Sequence, residues 1–163
     1  EAEGSWAATD SLVFNYNVSW MDAKYNKFEA DTDFDGIPDV DLSDKPVTRA
    51  PEWMGSVDGT YFQNLSRGYQ IEWRARVSYE DESVASYSDV AERFDPTLNS
   101  RTLVDASITF TNTEEDWYVR LLGSNLTDER YRTGSLSVAT LWIMSAYGPP
   151  RYYGVEFGAL FNW

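Results

Sequence analysis

The sequence contains no cysteine and no histidine. Without cysteine there is neither a disulfide framework nor a thiolate metal site. Without histidine the usual proton shuttle and the commonest transition-metal ligand are missing. The familiar triads and dyads of nucleophilic catalysis are thereby excluded, and no pair of carboxylates stands apart from the general acidity as an acid–base couple. The chain reads as a non-enzyme. Basic residues are also scarce, 13 against 27 acidic ones for a net charge of −14, which argues against a nucleic-acid partner held by phosphate contacts. No apolar run reaches the roughly 18 residues of a membrane-spanning helix. The longest such stretch, LSVATLWIMSAYG (136–148), is shorter and broken by Ser137, Thr140 and Ser145. The opening EAEGSW carries no initiator methionine and no signal peptide, so the chain reads as a mature product or a fragment.

Aromatic residues, in contrast, make up 16% of the chain, and apolar and polar positions alternate with a period of two. Leu12, Phe14, Tyr16, Val18 and Trp20 share one face against Asn15, Asn17 and Ser19. Tyr69, Ile71, Trp73, Ala75, Val77 and Tyr79 oppose Gln70, Glu72, Arg74, Arg76 and Ser78. The same pattern runs through 104–111 and 153–163, and more weakly through 1–8, 52–62 and 117–124. Period-two alternation is the signature of a strand with two different faces, so the chain is expected to be all-β, with about seven strands and no amphipathic helix.

Connection lengths add a second constraint. Short links at 8–11, 64–68 and 112–116 alternate with long ones at 26–50, 80–100 and 128–150. Short turns on one side and long loops on the other mark an antiparallel transmembrane β-barrel, whose lipid-facing and lumen-facing residues also alternate. Under that reading Glu72, Arg74, Arg76 and Asp105 line a polar lumen. Trp53, Tyr61, Tyr69, Trp73, Tyr79, Trp117 and Trp163, at or near strand ends, sit at the headgroup boundary, where an apolar ring with a polar tip is most stable. The three long connections are then extracellular loops, and much of the acidity falls in them. The apolar stretch 136–148 is expected to extend the last two strands above the membrane; folding over the mouth, or contact with a ligand or partner, are the alternatives.

The loop DTDFDGIPDVDLSD (31–44) opens like a calcium site. Asp31, Asp33 and Asp35 can converge on one hard cation, Gly36 permits the sharp turn, the Ile37 carbonyl and Asp39 fall at the next ligand positions, and Asp41 follows. Leu42 stands where an EF-hand needs a bidentate glutamate, so an EF-hand is not expected, whereas a Ca²⁺-stapled loop and a merely solvated acidic loop both fit. Asn17, Asn64 and Asn125 each begin an Asn-x-Ser/Thr triplet, a pattern short enough to arise by chance.

Four stretches resemble the C-terminal part of the barrel of TonB-dependent outer-membrane receptors. NLTDERY (125–131) is similar to the stretch that closes the penultimate strand of that family, and GPPRYYGVEFGALFNW (148–163) to its last lead-in and terminal strand. APEW (50–53) and MDAKYNKF (21–28) resemble the start of a descending strand and the end of an ascending one. The resemblance implies that this chain is the C-terminal part, 1–163, of a larger plugged barrel in the bacterial outer membrane. It further implies binding of a scarce solute (a siderophore, cobalamin or an oligosaccharide), contact with outer-membrane lipid, and energy supplied by TonB through an N-terminal region not in this sequence. An open sheet of seven strands would expose two edges and a lipid-facing surface by itself. Two other readings stand beside it: a small self-contained outer-membrane barrel or adhesin, and a soluble calcium-dependent β-sandwich that binds carbohydrate or protein.

Overall fold

A computed structural model describes residues 1–31, 35–87, 96–112, 116–138 and 142–159. Its main body is one antiparallel sheet of seven strands: β1 (Ala2–Thr9), β2 (Leu12–Trp20), β5 (Trp53–Asn64), β6 (Tyr69–Glu80), β9 (Arg101–Asn112), β10 (Trp117–Ser124) and β13 (Tyr152–Ala159). Each strand pairs with the next in that order, so the sheet is a simple meander. The turns from β1 to β2, β5 to β6 and β9 to β10 are short and lie at one end. At the other end each long connection carries its own two-stranded ribbon: β3 (Glu29–Ala30) with β4 (Val40–Asp41), β7 (Ser83–Val84) with β8 (Thr97–Leu98), and β11 (Arg132–Val138) with β12 (Trp142–Tyr147). The strands inferred from alternation are all present. The terminal residues 160–163, including Trp163, lie outside the described residues.

The register decides which residues share a face. Tyr16 lies across from Val57, Val57 from Val77, and Val77 from Val104. Ile108 lies across from Leu121, and Leu121 from Val155. These residues, with Trp20, Trp53, Trp73, Tyr79 and Phe157, form one continuous apolar face, and most of its large side chains are exposed. The buried hydrophobic residues other than proline are Leu42, Ala85 and Leu98 among the described residues, and all three belong to the long connections. A protein surrounded by water does the reverse, keeping exposed apolar patches to a few hundred Å². The wall therefore has no core of its own, which is the arrangement expected where lipid supplies the apolar phase.

Aromatic residues gather at both ends of this face. Trp20 stacks obliquely on Trp53, 6.4 Å between ring centroids, at the long-loop end. Tyr69, Phe110 and Trp117 cluster at the short-turn end, with centroids 5.2 to 6.5 Å apart. Trp53 and Tyr61 both lie on β5, about 26 Å apart along the strand at ~3.3 Å per residue, or about 20 Å along the membrane normal at the ~40° tilt of a barrel strand. That covers most of the ~25 Å apolar band of a transmembrane barrel.

Above the wall the connections lock to one another. Arg49 N–H donates to the Val84 carbonyl (2.8 Å), the Tyr87 hydroxyl to the Pro46 carbonyl (2.7 Å), and Arg132 to the Thr97 carbonyl (2.5 Å). Tyr25 packs on Phe28 (4.9 Å) and edge-on to Tyr87 (6.4 Å); burial raises the Tyr87 phenol above its usual pKa. Among the described residues the 136–148 stretch does not prolong the last two strands: the β10–β13 ladder stops at Ser124 opposite Tyr152, and β11 and β12 pair with each other instead. The cause is backbone geometry. Asn125 and Asp128 take φ of 49° and 56°, a left-handed conformation that a strand cannot continue through.

Candidate functional site

The other face of the sheet is polar. Arg74 and Asp58 pair at 2.6 Å, with the Asp58 side chain largely enclosed. Ser56 accepts from Asn17 Nδ2 (3.1 Å) and from Arg76 Nη2 (3.3 Å). Arg76 lies directly across from Asp105 on β9. Farther along, Arg120 Nε donates to Thr109 Oγ1 (3.1 Å) and Nη1 to Glu156 Oε2 (3.3 Å), while the Tyr118 hydroxyl donates to the other Glu156 oxygen. Two grooves run over this face. One, of about 590 Å³, is lined by residues that include Asn15, Asn17, Asp58, Arg74 and Arg76; the second, of about 300 Å³, shares the last three and adds Asp105 and Arg120. The structure thus places Glu72, Arg74, Arg76 and Asp105 on one face, as the alternation indicates. Sequence reasoning did not name Asp58, Arg120 or Glu156 for the lumen, although the alternation through 153–163 already puts Glu156 on the polar side. On β5 the signal was diluted by Gly55 and Gly59, which occupy apolar-face positions without an apolar side chain. Alternating charge of both signs gives this surface the means to bind and orient a polar solute.

At the loop end, the aspartates of the calcium-like segment hold their own turn. Gly36 N–H donates to Asp31 Oδ2 (2.7 Å), Ile37 N–H to Asp35 Oδ1 (2.8 Å) and Ser43 N–H to Asp41 Oδ1 (2.9 Å). Gly36, at φ 91°, occupies backbone space open to few other residues. The Ser43 hydroxyl, and then its N–H, hold the Asp41 carboxyl below its usual pKa. Among the described residues no three carboxylates converge tightly enough to hold a metal ion; Asp33, the centre of the pattern, lies outside them.

The most heavily bonded cluster joins the two ends of the β10–β13 connection. Asn125 is 3% exposed. Its Nδ2 donates to the carbonyls of Glu129 (2.9 Å) and Pro149 (3.1 Å), its Oδ1 accepts the Glu129 N–H (2.9 Å), and its own N–H donates to Asp105 Oδ1 (2.9 Å). Asp128 accepts the Arg151 N–H (3.3 Å), and Arg151 Nη1 donates to the Leu126 carbonyl (3.4 Å). Gly148 N–H donates to the Tyr131 carbonyl (3.0 Å), and the Tyr131 ring lies against Gly148 so closely that an added Cβ would sit 2.0 Å from Cζ. NLTDERY and GPPRYYG, far apart in sequence, are thus two halves of one clasp. With both amide atoms bonded inside it, Asn125 cannot serve as a glycan acceptor in the folded chain. Gly148→Ala should displace the Tyr131 ring and cost about 1–3 kcal/mol, as overpacking does, measured as a shift in the unfolding midpoint.

Comparison with known proteins bears on this architecture. A sequence model described as "TonB dependent receptor-like, beta-barrel" matches residues 1–126. Among solved structures, the ferric yersiniabactin uptake receptor FyuA from Yersinia pestis superposes with a TM-score of 0.71 over 95% of this chain, at 15% sequence identity. The chain spans 22% of the FyuA chain. No match was found among curated proteins.

Proposed function

Because the chain belongs to the TonB-dependent receptor-like β-barrel family, matched over residues 1–126, we propose that it is the C-terminal wall of a bacterial outer-membrane receptor. That receptor takes up a scarce solute, a siderophore, cobalamin or an oligosaccharide, with energy from TonB delivered through a region outside this chain. The observation that carries the reading is the inversion of the sheet: an apolar, exposed outer face, a charged inner face and, among the described residues, buried hydrophobic side chains other than proline only in the long connections. The long connections then face the medium and the short turns the periplasm. The work of such a wall is binding and passage. The resemblance in fold to a ferric-siderophore uptake receptor supports trying ferric siderophores first.

The test uses the native full-length polypeptide in its outer membrane. Uptake of radiolabelled ferric siderophores, cobalamin and oligosaccharides is measured with and without TonB. The expected result is receptor-dependent accumulation of one of them that collapses when TonB is removed. Equal accumulation in both strains would overturn the proposal.

For the acidic loop we propose that Asp31, Asp33, Asp35, the Ile37 carbonyl, Asp39 and Asp41 take up Ca²⁺ at the outer surface. The support is the spacing of the aspartates and the turn at Gly36, whose N–H is held by Asp31. Chelation should then raise the rate of proteolytic cleavage within 26–50 several-fold, with recovery on adding Ca²⁺ but not on adding Na⁺ to the same ionic strength. Cleavage unchanged by chelator would leave the loop a solvated one.

A further inference from the structure

A cavity of about 480 Å³ lies between the bases of the β2–β5 and β6–β9 connections, just beyond the aromatic band at the loop end. Four carboxylates line it, Asp22, Glu52, Asp81 and Glu82, against one cation, Lys24. Two of the carboxylates are tied to the band itself: Glu52 accepts the Trp20 indole N–H (3.0 Å) and Asp81 accepts the Tyr79 hydroxyl (3.0 Å). Lys24 is already on Asp22, at 3.1 Å. Glu52, Asp81 and Glu82 have no ion-pair partner among the described residues. An independent feature points into the same space. Ser83 lines the cavity, is 8% exposed, and its hydroxyl has no hydrogen-bond partner among the described residues. A buried hydroxyl in that state is costly, and a guest in the cavity would supply the partner.

The spread of the carboxylates selects the guest. No three of them converge closely enough for a metal ion, and the volume is large for a bare cation. We propose that this cavity binds an organic polyammonium ion, its ammonium groups spread over Glu52, Asp81 and Glu82 with one N–H donated to the Ser83 hydroxyl. Lys24 on Asp22 is the same contact made from within the chain. A free polyamine carries two or more such groups, whereas an ethanolamine lipid headgroup beside the aromatic band carries one. The assignment rests on the cavity and does not depend on the transport reading.

The test titrates spermidine into the native full-length polypeptide in detergent at 0.15 M salt, about the ionic strength at which exposed charges are screened beyond ~8 Å. Heat of binding and tryptophan fluorescence are followed together. Saturable one-to-one binding is expected. It should weaken about tenfold or more in Asp81→Asn/Glu82→Gln, which removes charge-assisted bonds, and measurably in Ser83→Ala, which changes no charge. Repeating the titration in nanodiscs with and without phosphatidylethanolamine separates the two. No competition by that lipid is the result expected of a polyammonium site, and full competition by its single ammonium would contradict the proposal. Absence of saturable binding, equal binding by wild type and both variants, or displacement by Mg²⁺ at matched ionic strength would overturn it.

Discussion

Val77→Arg is expected to cost about 2–4 kcal/mol of stability in a bilayer, the penalty for arginine near the midplane of a barrel's lipid face. Val77 is 46% exposed in this chain and lies between Val57 and Val104 at the middle of the apolar face. The exposure is what makes the result diagnostic. On a sheet bathed in water, a side chain this open could be replaced by arginine with a change within about 0.5 kcal/mol. On a sheet bathed in hydrocarbon, the guanidinium must keep its water by thinning the membrane or abandon it. Asn15→Arg is the control. It places the same group on the polar face, across from Asp58, where a change within about 0.5 kcal/mol is expected. Reversible unfolding of the full-length protein in lipid vesicles measures both. Equal costs for the two variants would contradict the lipid-facing assignment.

Asn125→Ala is expected to cost about 1–3 kcal/mol. The variant keeps the backbone bond to Asp105 but leaves the Glu129 and Pro149 carbonyls and the Glu129 N–H without the partners they have now. Asn125 itself is buried, whereas Glu129 and Pro149 are exposed as residues, so water takes over part of the abandoned bonding and the loss is that of one to two net hydrogen bonds, about 1 kcal/mol each. Alanine also takes the φ of 49° less readily than asparagine, whose side chain tolerates left-handed backbone. Asn125→Asp should fare no better, because it aims an anionic oxygen where the present amide donates to two carbonyls. Unfolding midpoints, read beside the cleavage rate within 128–150, check this. A loss below about 1 kcal/mol would mean that water satisfies these groups in its place.

The wall was legible because a barrel imposes two solvents on one strand, so every second residue reports on one of them. Leu12 to Trp20 and Tyr69 to Tyr79 show this without interruption. Strand β5 shows it weakly because Gly55 and Gly59 stand at apolar positions, and the Gly59 site is filled instead by the Phe14 ring from the next strand. The ribbons β3–β4 and β7–β8 are two residues per strand, too short for any period to register. The clasp could be found in sequence only as a resemblance. Its physical content, a buried amide bridging Glu129 and Pro149, joins positions that no local pattern relates. The ammonium cavity was invisible for the same reason: its carboxylates come from two connections and were indistinguishable from solvated loop charge until the fold brought them together.

The clasp also bears on the order in which the wall can be built. β1–β2, β5–β6 and β9–β10 are hairpins closed by short turns, units that nucleate in microseconds and can zip onto one another as neighbours along the chain. β13 has no such partner. It must find β10 across the whole connection from Asn125 to Arg151, a search whose entropy rises with loop length. Tying Asn125 to Pro149, and Asp128 to Arg151, cinches that connection at its neck. Once the clasp has closed, at a cost that still rises with the length of the β11–β12 ribbon, the terminal strand meets β10 as though a short turn joined them.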